Sequence, residues 1–484
     1  MSSELQFQQL IAGEWCGAAD GRMACIIDPA TEDVVREVPF GGRADAERAI
    51  EAAAAAFSKW SRTTAYERAA VLLKTASLIR ERSDLMVPLN IAESGKTRAD
   101  AKGDLLAAAA LFEWYAEEAK RDSGYLQPSR RADRRLMILR QPLGVVGTIT
   151  AWNFPAYNPA RCWAAALAAG CTVVGRPSEL TPLTAMAMAS LLMEAGLPAG
   201  VLNLINGEPE AMAQAMLDHP ACRKISFTGS TRVGRLLMDG ASRTITRLGL
   251  ELGGNAPVII LPDADIEAVA ASAPMAKCRN VGQVCVSPQR FLVHASQRDR
   301  FLDAVVPRMA ALRVGPGTDP ATDVGPMITR RHRDRVEELV DDARAHGASV
   351  KAGGRRPEGA LSSRGNFYLP TVITEVGPET RILNEEIFGP IMPVTTFESF
   401  DEAIELANST PYGLAAYVWT RDLRHAMRAI EGLEFGLVGV NDWAPQAIEA
   451  PFPGWKQSGL GRECGREGLE DYQEIKTASI GGLG

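Results

Sequence analysis

The chain has 484 residues, 46% hydrophobic and 23% charged, a balance that argues against a disordered, collagen-like or coiled-coil protein. Its 52 Lys and Arg against 59 Asp and Glu give a formal charge of −7, so no nucleic-acid or anionic-membrane partner is expected. No apolar run reaches the ~18 residues of a membrane span, and at roughly 150 residues per domain the length predicts about two or three compact units.

The opening ten residues have neither the basic n-region nor the apolar core of a secretion signal, and a cytoplasmic protein is expected. Alanine- and leucine-rich segments with charges on one face then predict amphipathic helices over 45–60, 66–82 and 105–120. Near residue 122 a polar, arginine-rich stretch interrupts the pattern, and the alternation of Leu136, Ile138 and Arg140 predicts an exposed strand or hairpin leaving the main body. Beyond it, strands at 145–150, 171–174, 201–205 and 224–227 alternate with helices at 164–169, 184–195 and 210–217. A second series has strands at 257–261, 291–293, 372–373 and 415–420. Such alternation predicts an α/β fold: two doubly wound parallel-sheet units, with the hairpin projecting.

Eight cysteines (Cys16, Cys25, Cys162, Cys171, Cys222, Cys278, Cys285 and Cys464) are too sparse for a disulfide framework. None forms a C-x-x-C pair, no H-E-x-x-H occurs and the five histidines are scattered, so no metal is expected. A cysteine that matters here should matter as a single thiolate.

Four places carry chemistry. In Lys224–Gly234 a strand ends at Phe227 and a helix begins near Ser230, with Gly229 and Gly234 five apart rather than in G-x-G-x-x-G spacing. Such a turn either reverses the chain or lets a phosphate approach free N–H groups at a helix N-terminus. Cys285, after Asn280-Val-Gly-Gln-Val, is either a buried structural thiol or a sulfur presented to a cleft. Glu251, in apolar surroundings before Gly253 and Gly254, is either a salt-bridged core acid or a base of raised pKa. Asn153 lies in a loop just after a strand, where α/β proteins bind ligands.

Taken in chain order, Trp152-Asn-Phe-Pro155, Gly229-Ser-Thr231, Glu251-Leu-Gly-Gly254, Gly282-Gln-Val-Cys285, Glu386-Ile-Phe-Gly-Pro390 and the closing Lys456-Gln-Ser-Gly-Leu-Gly-Arg-Glu463 resemble the aldehyde dehydrogenase superfamily, in register from about Ile11 to about Ile480. The resemblance implies a Rossmann-like cofactor-binding domain over 1–123 and 143–253, a catalytic domain over 254–457, and strands at 124–142 and 469–482 that pair subunits in a homodimer or homotetramer. It implies Cys285 as nucleophile, Asn153 and the Cys285 backbone N–H as oxyanion donors, Glu251 as the base that hydrolyses a thioester, and Glu463 as the acidic member of a proton relay. The implied cofactor is NAD, with NADP possible. Trp152 and Ser230, with Gly229 and Gly234, would neighbour its pyrophosphate, and Arg176, Ser178 and Glu179 its adenosine ribose. Glu386 would hold the nicotinamide ribose and Phe388 line the nicotinamide pocket. Two positions depart from the family: Arg176 and Cys162 both stand where lysine is usual, the second in the proton relay.

Glu93-Ser-Gly-Lys96, residues 112–120 and Asn255-Ala-Pro257 look most like succinate-semialdehyde dehydrogenases. Arg161, eight residues after Asn153, and Arg279, six before Cys285, match arginines that take a distal carboxylate in such enzymes. They are expected as a buried guanidinium pair, or else as structural salt-bridge partners. Gln446, beside Ala447 where those enzymes offer serine, and Phe452 complete the expected substrate pocket. Cys285-Val-Ser-Pro-Gln-Arg290 leans toward a 2-oxoglutarate semialdehyde branch, and Tyr157, Trp443 and Trp455 would instead form an aromatic box for another aldehyde. A short ω-carboxy-aldehyde is the expected small-molecule substrate. The rivals are an uncharged aldehyde and a catalytically silent homologue, which would tolerate loss of Cys285 or Glu251.

Overall fold

Val145–Ile149, a run of apolar and β-branched residues, is buried on both faces, as a central strand between two helical layers must be. It sits inside an eight-stranded sheet in a computed structural model that describes residues 5–483; the first four residues of the opening stretch and of the expected 1–123 segment, and the last residue of the chain, lie outside them. The core of this sheet is parallel: Leu202–Leu204, Thr172–Arg176, Val145–Ile149, Cys222–Thr228 and Arg247–Glu251. Antiparallel strands close its edges, Gln9–Ile11 with Glu14–Cys16 on one side and Gly459–Leu460 on the other. A seven-stranded sheet follows, parallel except for its edge strand Ser349–Ala352, with Ala256–Ile260 and Pro288–His294 in the middle. The expected α/β fold with two doubly wound sheets is thus present.

The register of the first sheet decides where the chemistry lies. Ile149 pairs with Arg176 and Phe227, and Thr228 pairs with Glu251, so the strand ends that carry Asn153, Ser230, Glu251 and Arg176 emerge along one edge. The predicted hairpin also forms. Gln473–Ile480 runs antiparallel to all of Arg135–Pro142, and Tyr125–Gln127 flanks the latter on its other side. This outer strand starts at 473 rather than 469, because the short helix Gly465–Glu470 comes first.

Helices differ from expectation at their beginnings. Arg98–Arg121 starts well before 105 because the Thr97 hydroxyl caps it, accepting from the Asp100 N–H at 3.2 Å. Helix Ser83–Ser94 was not expected at all: Pro88 lies inside it, and its inward face carries Asn90, Glu93 and Ser94, which break the apolar periodicity. Tyr157–Ala169 starts ahead of 164 and is buried at every residue after Tyr157. Alanine at 164–166, 168 and 169 lets it nest closely, and Trp163 fills the space over Gly175, where a Cβ would lie 2.8 Å from its ring. Arg161 and Cys162 are thereby fixed in the interior.

Candidate active site

The loops that leave the C-terminal edge of the first sheet meet those that enter the second, and a cavity of 930 Å³ lies between them. One part of its wall is made by Asn153, Arg161, Glu251, Arg279, Cys285, Gln446 and Phe452, another by Trp152, Gly229, Ser230, Glu386 and Phe388. Of the residues singled out in the sequence, Arg176, Ser178, Glu179, Gly234 and Glu463 do not line it.

Cys285 is presented by a contorted loop. Asn280, Val281 and Gly282 take φ of 47°, 60° and 73° in succession. Gly282 admits no side chain, since a Cβ there would lie 2.2 Å from the Gly389 carbonyl oxygen. Left-handed backbone at Asn280 and Val281 costs on the order of 1–3 kcal/mol each and persists only where surroundings enforce it. Here the Asn280 N–H donates to Asp100 at 3.1 Å, and its side-chain amide donates to the carbonyls of Asn153 (3.0 Å) and Gln283 (3.2 Å). The same polar knot orients Asn153. Its Oδ1 accepts from Asn158 at 3.1 Å, and one Nδ2 hydrogen goes to the Gln283 carbonyl at 3.0 Å, which leaves the second for the cavity. Burial pushes the Cys285 thiol up to about 12, opposed by the charge of Arg161, so the sulfur rests protonated.

Glu251 is buried, and that burial, reinforced by the charge of Glu463, holds its carboxyl well above the usual carboxylate range; Arg161 opposes both. Among the described residues its Oε2 has no hydrogen-bond partner. Glu463 stands behind the cavity wall, its Oε2 2.7 Å from Arg161 Nε and its Oε1 accepting from the Cys162 thiol at 3.4 Å.

The expected buried guanidinium pair does not form. Arg161 is buried, ion-paired with Glu463 and flanked by the rings of Tyr157 (5.1 Å) and Phe452 (5.0 Å). Arg279, the residue that caps helix Ile266–Cys278, is exposed and lies 5.4 Å over the Phe154 ring; among the described residues no carboxylate pairs with it. The aromatic box does not assemble either. Trp443 packs against Trp419 (4.8 Å), Tyr417 (5.5 Å) and Phe291 (6.2 Å) away from the cavity, and Trp455 is half exposed, so of the three only Tyr157 lines it.

The other part of the cavity suits a dinucleotide. Ser230 caps helix Thr231–Ala241, accepting from the Val233 N–H at 3.4 Å, so free N–H groups face an approaching phosphate. A Cβ on Gly229 would lie 2.3 Å from the Phe227 ring; Gly234 instead gives way to Leu252, 2.8 Å from where its Cβ would be, and is a packing glycine. Trp152 meets Phe388 edge-on at 5.5 Å and His332 at 5.2 Å. Glu386, pushed up to about 7 by burial, accepts from the Gly254 N–H at 3.1 Å. Off the cavity, Arg176 donates to Glu179 at 2.6 Å and to the Gly207 carbonyl at 2.8 Å, and the Ser178 hydroxyl accepts from the Leu180 N–H at 3.3 Å.

Three participants escaped the sequence reading. Buried Lys96, pulled down to about 8 by desolvation, donates to the Asn153 carbonyl and sits 4.0 Å over Phe154. Asp104 caps helix Tyr157–Ala169 by accepting from the Tyr157 N–H at 2.9 Å, and an acid among the alanines and leucines of its own helix was the available signal. His332 bonds Thr329 at 2.6 Å through Nδ1 and is pushed down to about 4 by burial; nothing in its arginine-rich segment marked it. Among the described residues no group of three or more His, Cys, Asp or Glu could hold a metal ion, and no helix is long and apolar enough to cross a membrane.

Two doubly wound sheets that share one cleft, with a thiol, an amide and a buried carboxylate on one wall and a helix N-terminus on the other, define a dinucleotide-dependent oxidoreductase. The chain belongs to the aldehyde dehydrogenase family, whose profile matches residues 15–478, and it is an NAD(P)-dependent aldehyde dehydrogenase. It is 43% identical over 481 residues to a 3-sulfolactaldehyde dehydrogenase of Pseudomonas putida, covering 99% of this chain and 98% of that one. It is 42% identical over 474 residues to a succinate-semialdehyde dehydrogenase of Escherichia coli K12 named for NADP(+), covering 98% of each. The crystal structure of a succinate-semialdehyde dehydrogenase from Burkholderia pseudomallei superposes with a TM-score of 0.96 at 44% identity, over 99% of this chain and 98% of that one.

Proposed function

We propose that the protein oxidises a short semialdehyde with a distal anionic group, succinate semialdehyde or a close analogue, to the free acid. The observation that carries this is the state of Arg279: a guanidinium on the cavity wall, exposed and without a carboxylate partner among the described residues, over the same Phe154 ring as Lys96. An anion there meets the Arg279 guanidinium in a cavity also lined by Gln446, whose buried Oε1 lacks a hydrogen-bond partner among the described residues. The relatives named for succinate semialdehyde and 3-sulfolactaldehyde support the reading, since both substrates join an aldehyde to a nearby anion.

The chemistry follows from the residues. Cys285 sulfur adds to the aldehyde carbon, forming the C–S bond; the S–H proton passes to Glu251, and the carbonyl electron pair moves to oxygen. Asn153 Nδ2–H and the Cys285 backbone N–H are the donors for that oxygen, and losing one such donor typically costs about 3–4 kcal/mol. NAD(P), held by Trp152, Ser230, Glu386 and Phe388, supplies the acceptor for the hydride that leaves the adduct. Cys285 is then a thioester. Glu251 releases its first proton to solvent and takes another from water; the water oxygen bonds the acyl carbon, the C–S bond breaks, and sulfur leaves with the electron pair.

NAD is the preferred cofactor, with NADP tolerated, because a 2′-phosphate beside Arg176 would meet the Glu179 carboxylate already held there. Helix Thr231–Ala241 exposes Leu236 and Met238, and with the outer strand Gln473–Ile480 it offers surfaces for a homodimer or homotetramer.

Steady-state rates with succinate semialdehyde and with butanal test the reading. A kcat/KM at least about tenfold higher for the semialdehyde is expected, about 1.4 kcal/mol of differential recognition. Equal efficiency on both would refute it, and turnover by Cys285→Ala would refute the covalent route.

A further inference from the structure

We propose that Gln289 is the positioning residue for Glu386: its side-chain amide fixes that carboxylate against the Cys285 loop, and so fixes the depth at which the nicotinamide ribose is held. This rests on the cofactor role given to Glu386 above. It also gives the segment 285–290 a part in the reaction beyond its thiol.

A closed ring of hydrogen bonds carries it. Gln289 is fully buried at the start of strand Pro288–His294, and its side chain lies between two loops from distant parts of the chain. Its Nε2 donates to the Gly254 carbonyl at 3.0 Å, and its Oε1 accepts from the Ile387 N–H at 2.8 Å. The Gly254 N–H donates to Glu386 Oε1 at 3.1 Å, and the Glu386 backbone closes the ring. A carbonyl on one side and an N–H on the other demand a group that both donates and accepts, which a neutral amide supplies.

Packing ties the ring to the nucleophile. A Cβ on Gly254 would lie 2.5 Å from the Cys285 carbonyl oxygen, and one on Gly253 would lie 2.5 Å from Glu386 Oε2. The glycine pair is thus wedged between the carboxylate and the Cys285 backbone, with no slack on either side. Asn255 Nδ2 donates to the carbonyls of Leu383 (3.0 Å) and Glu385 (3.2 Å), a second stitch between the same loops. Asn255 therefore holds the residue before Glu386, and Gln289 holds the residue after it. Without Gln289 the loops stay stitched, but the carboxylate loses its fixed seat. A bound ribose then shifts relative to the Cys285 sulfur, and reaction rates are steep in such displacements.

The test pairs Gln289→Met, which keeps the approximate volume and removes both hydrogen bonds, with Glu386→Gln. Calorimetry of NAD binding without aldehyde is the first readout. Gln289→Met should raise the Kd about tenfold, on the scale of coupling between neighbouring groups, and Glu386→Gln at least as much. Because Gln289 acts through Glu386, the double variant should bind no more than about twofold weaker than Glu386→Gln alone. The second readout is alkylation of Cys285 by iodoacetamide in enzyme without cofactor. Its rate should change less than about twofold, because Asn280 rather than Gln289 holds that loop. At saturating NAD the burst of reduced cofactor should be slowed about tenfold or more. If Gln289→Met does not fold, Gln289→Asn replaces it: its shorter amide reaches one loop but not both, and the Kd for NAD should still rise at least about threefold.

An unmoved Kd in the Gln289 variant, beside a raised one in Glu386→Gln, overturns the proposal and leaves the role of Glu386 standing. Losses that multiply in full in the double variant overturn it as well. So does a Cys285 alkylation rate that rises in step with the Kd, since Gln289 would then hold the fold of both loops. If neither variant weakens NAD, Glu386 does not hold the ribose, and the proposal falls with that reading.

Discussion

Arg279→Ala removes a charge that stands at the edge of the cavity, and its exposure sets the size of the effect. Two unit charges at about 4 Å are worth about 1 kcal/mol in a water-like medium and about 4 kcal/mol at the lower dielectric of a protein surface. Arg279 is exposed on one side and lies over Phe154 on the other, so the loss should fall near the lower end, about 1–2 kcal/mol. A fully buried pair, as the sequence suggested, would have cost about 2–5 kcal/mol. The expected result is thus a roughly five- to thirty-fold fall in kcat/KM for succinate semialdehyde, carried by KM, and less than about a twofold change for butanal. Raising the salt from 50 to 500 mM should shrink the difference between variant and unmutated enzyme, because an exposed charge is screened. Parallel losses on the two aldehydes, or a difference indifferent to salt, would show that Arg279 supports the Cys285 loop rather than the substrate.

Glu251→Gln should slow deacylation more than acylation: the burst of reduced cofactor should still approach one per active site but form more slowly, because the Cys285 thiol has lost its proton acceptor, and turnover after it should be slowed at least about a hundredfold, within the range for a lost general base; stopped-flow absorbance reads both phases, and an unchanged steady rate would assign the water to another group. Glu179→Ser frees the buried Arg176 guanidinium that now bonds it, and should raise the NADP/NAD ratio of kcat/KM. An unmutated enzyme already preferring NADP tenfold would reverse the ranking of these two residues. With its thiol pushed up to about 12, Cys285 should react with iodoacetamide about a thousandfold more slowly at pH 8 than an ordinary thiol of pKa near 9, and the rate should climb with pH to beyond 10. Mass spectrometry of the labelled peptide checks this, and fast labelling at pH 7 would mean that the resting sulfur is ionised.

The two sheets were legible because parallel strands buried on both faces read as short apolar runs, and Val145–Ile149 and Ala256–Ile260 are such runs. Cys285, Asn153 and Glu251 could be named because each sits in a motif, and the fold brings them to one cavity. What stayed hidden was pairing across distance. Nothing in the residues around Arg161 shows that a carboxylate 302 positions later will claim its guanidinium, nor that Trp443 will turn toward Trp419 instead of the substrate. Helix starts at Arg98 and Tyr157 were missed for a related reason, since the groups that fix them, Thr97 and Asp104, are polar where periodicity seeks apolar residues. The helix with Pro88 inside it was masked by the residue that ordinarily ends one.

The close nesting of helix Tyr157–Ala169 bears on how this protein can change over evolutionary time. Asn158, Arg161 and Cys162 share it with a wall of alanines, and every residue after Tyr157 is sealed from solvent. A larger side chain anywhere along its length would displace the guanidinium and, through Asn158, the amide of Asn153, so drift on this helix endangers the reaction itself. Residues 441–450 are under no such restraint: none of them is fully buried, and Gln446, Ala447 and Ile448 reach the cavity from a surface loop. Inherited variation in the choice of aldehyde should therefore accumulate in that loop, where it is cheap, while the helix remains nearly frozen, and libraries aimed at new substrates belong at the same few positions.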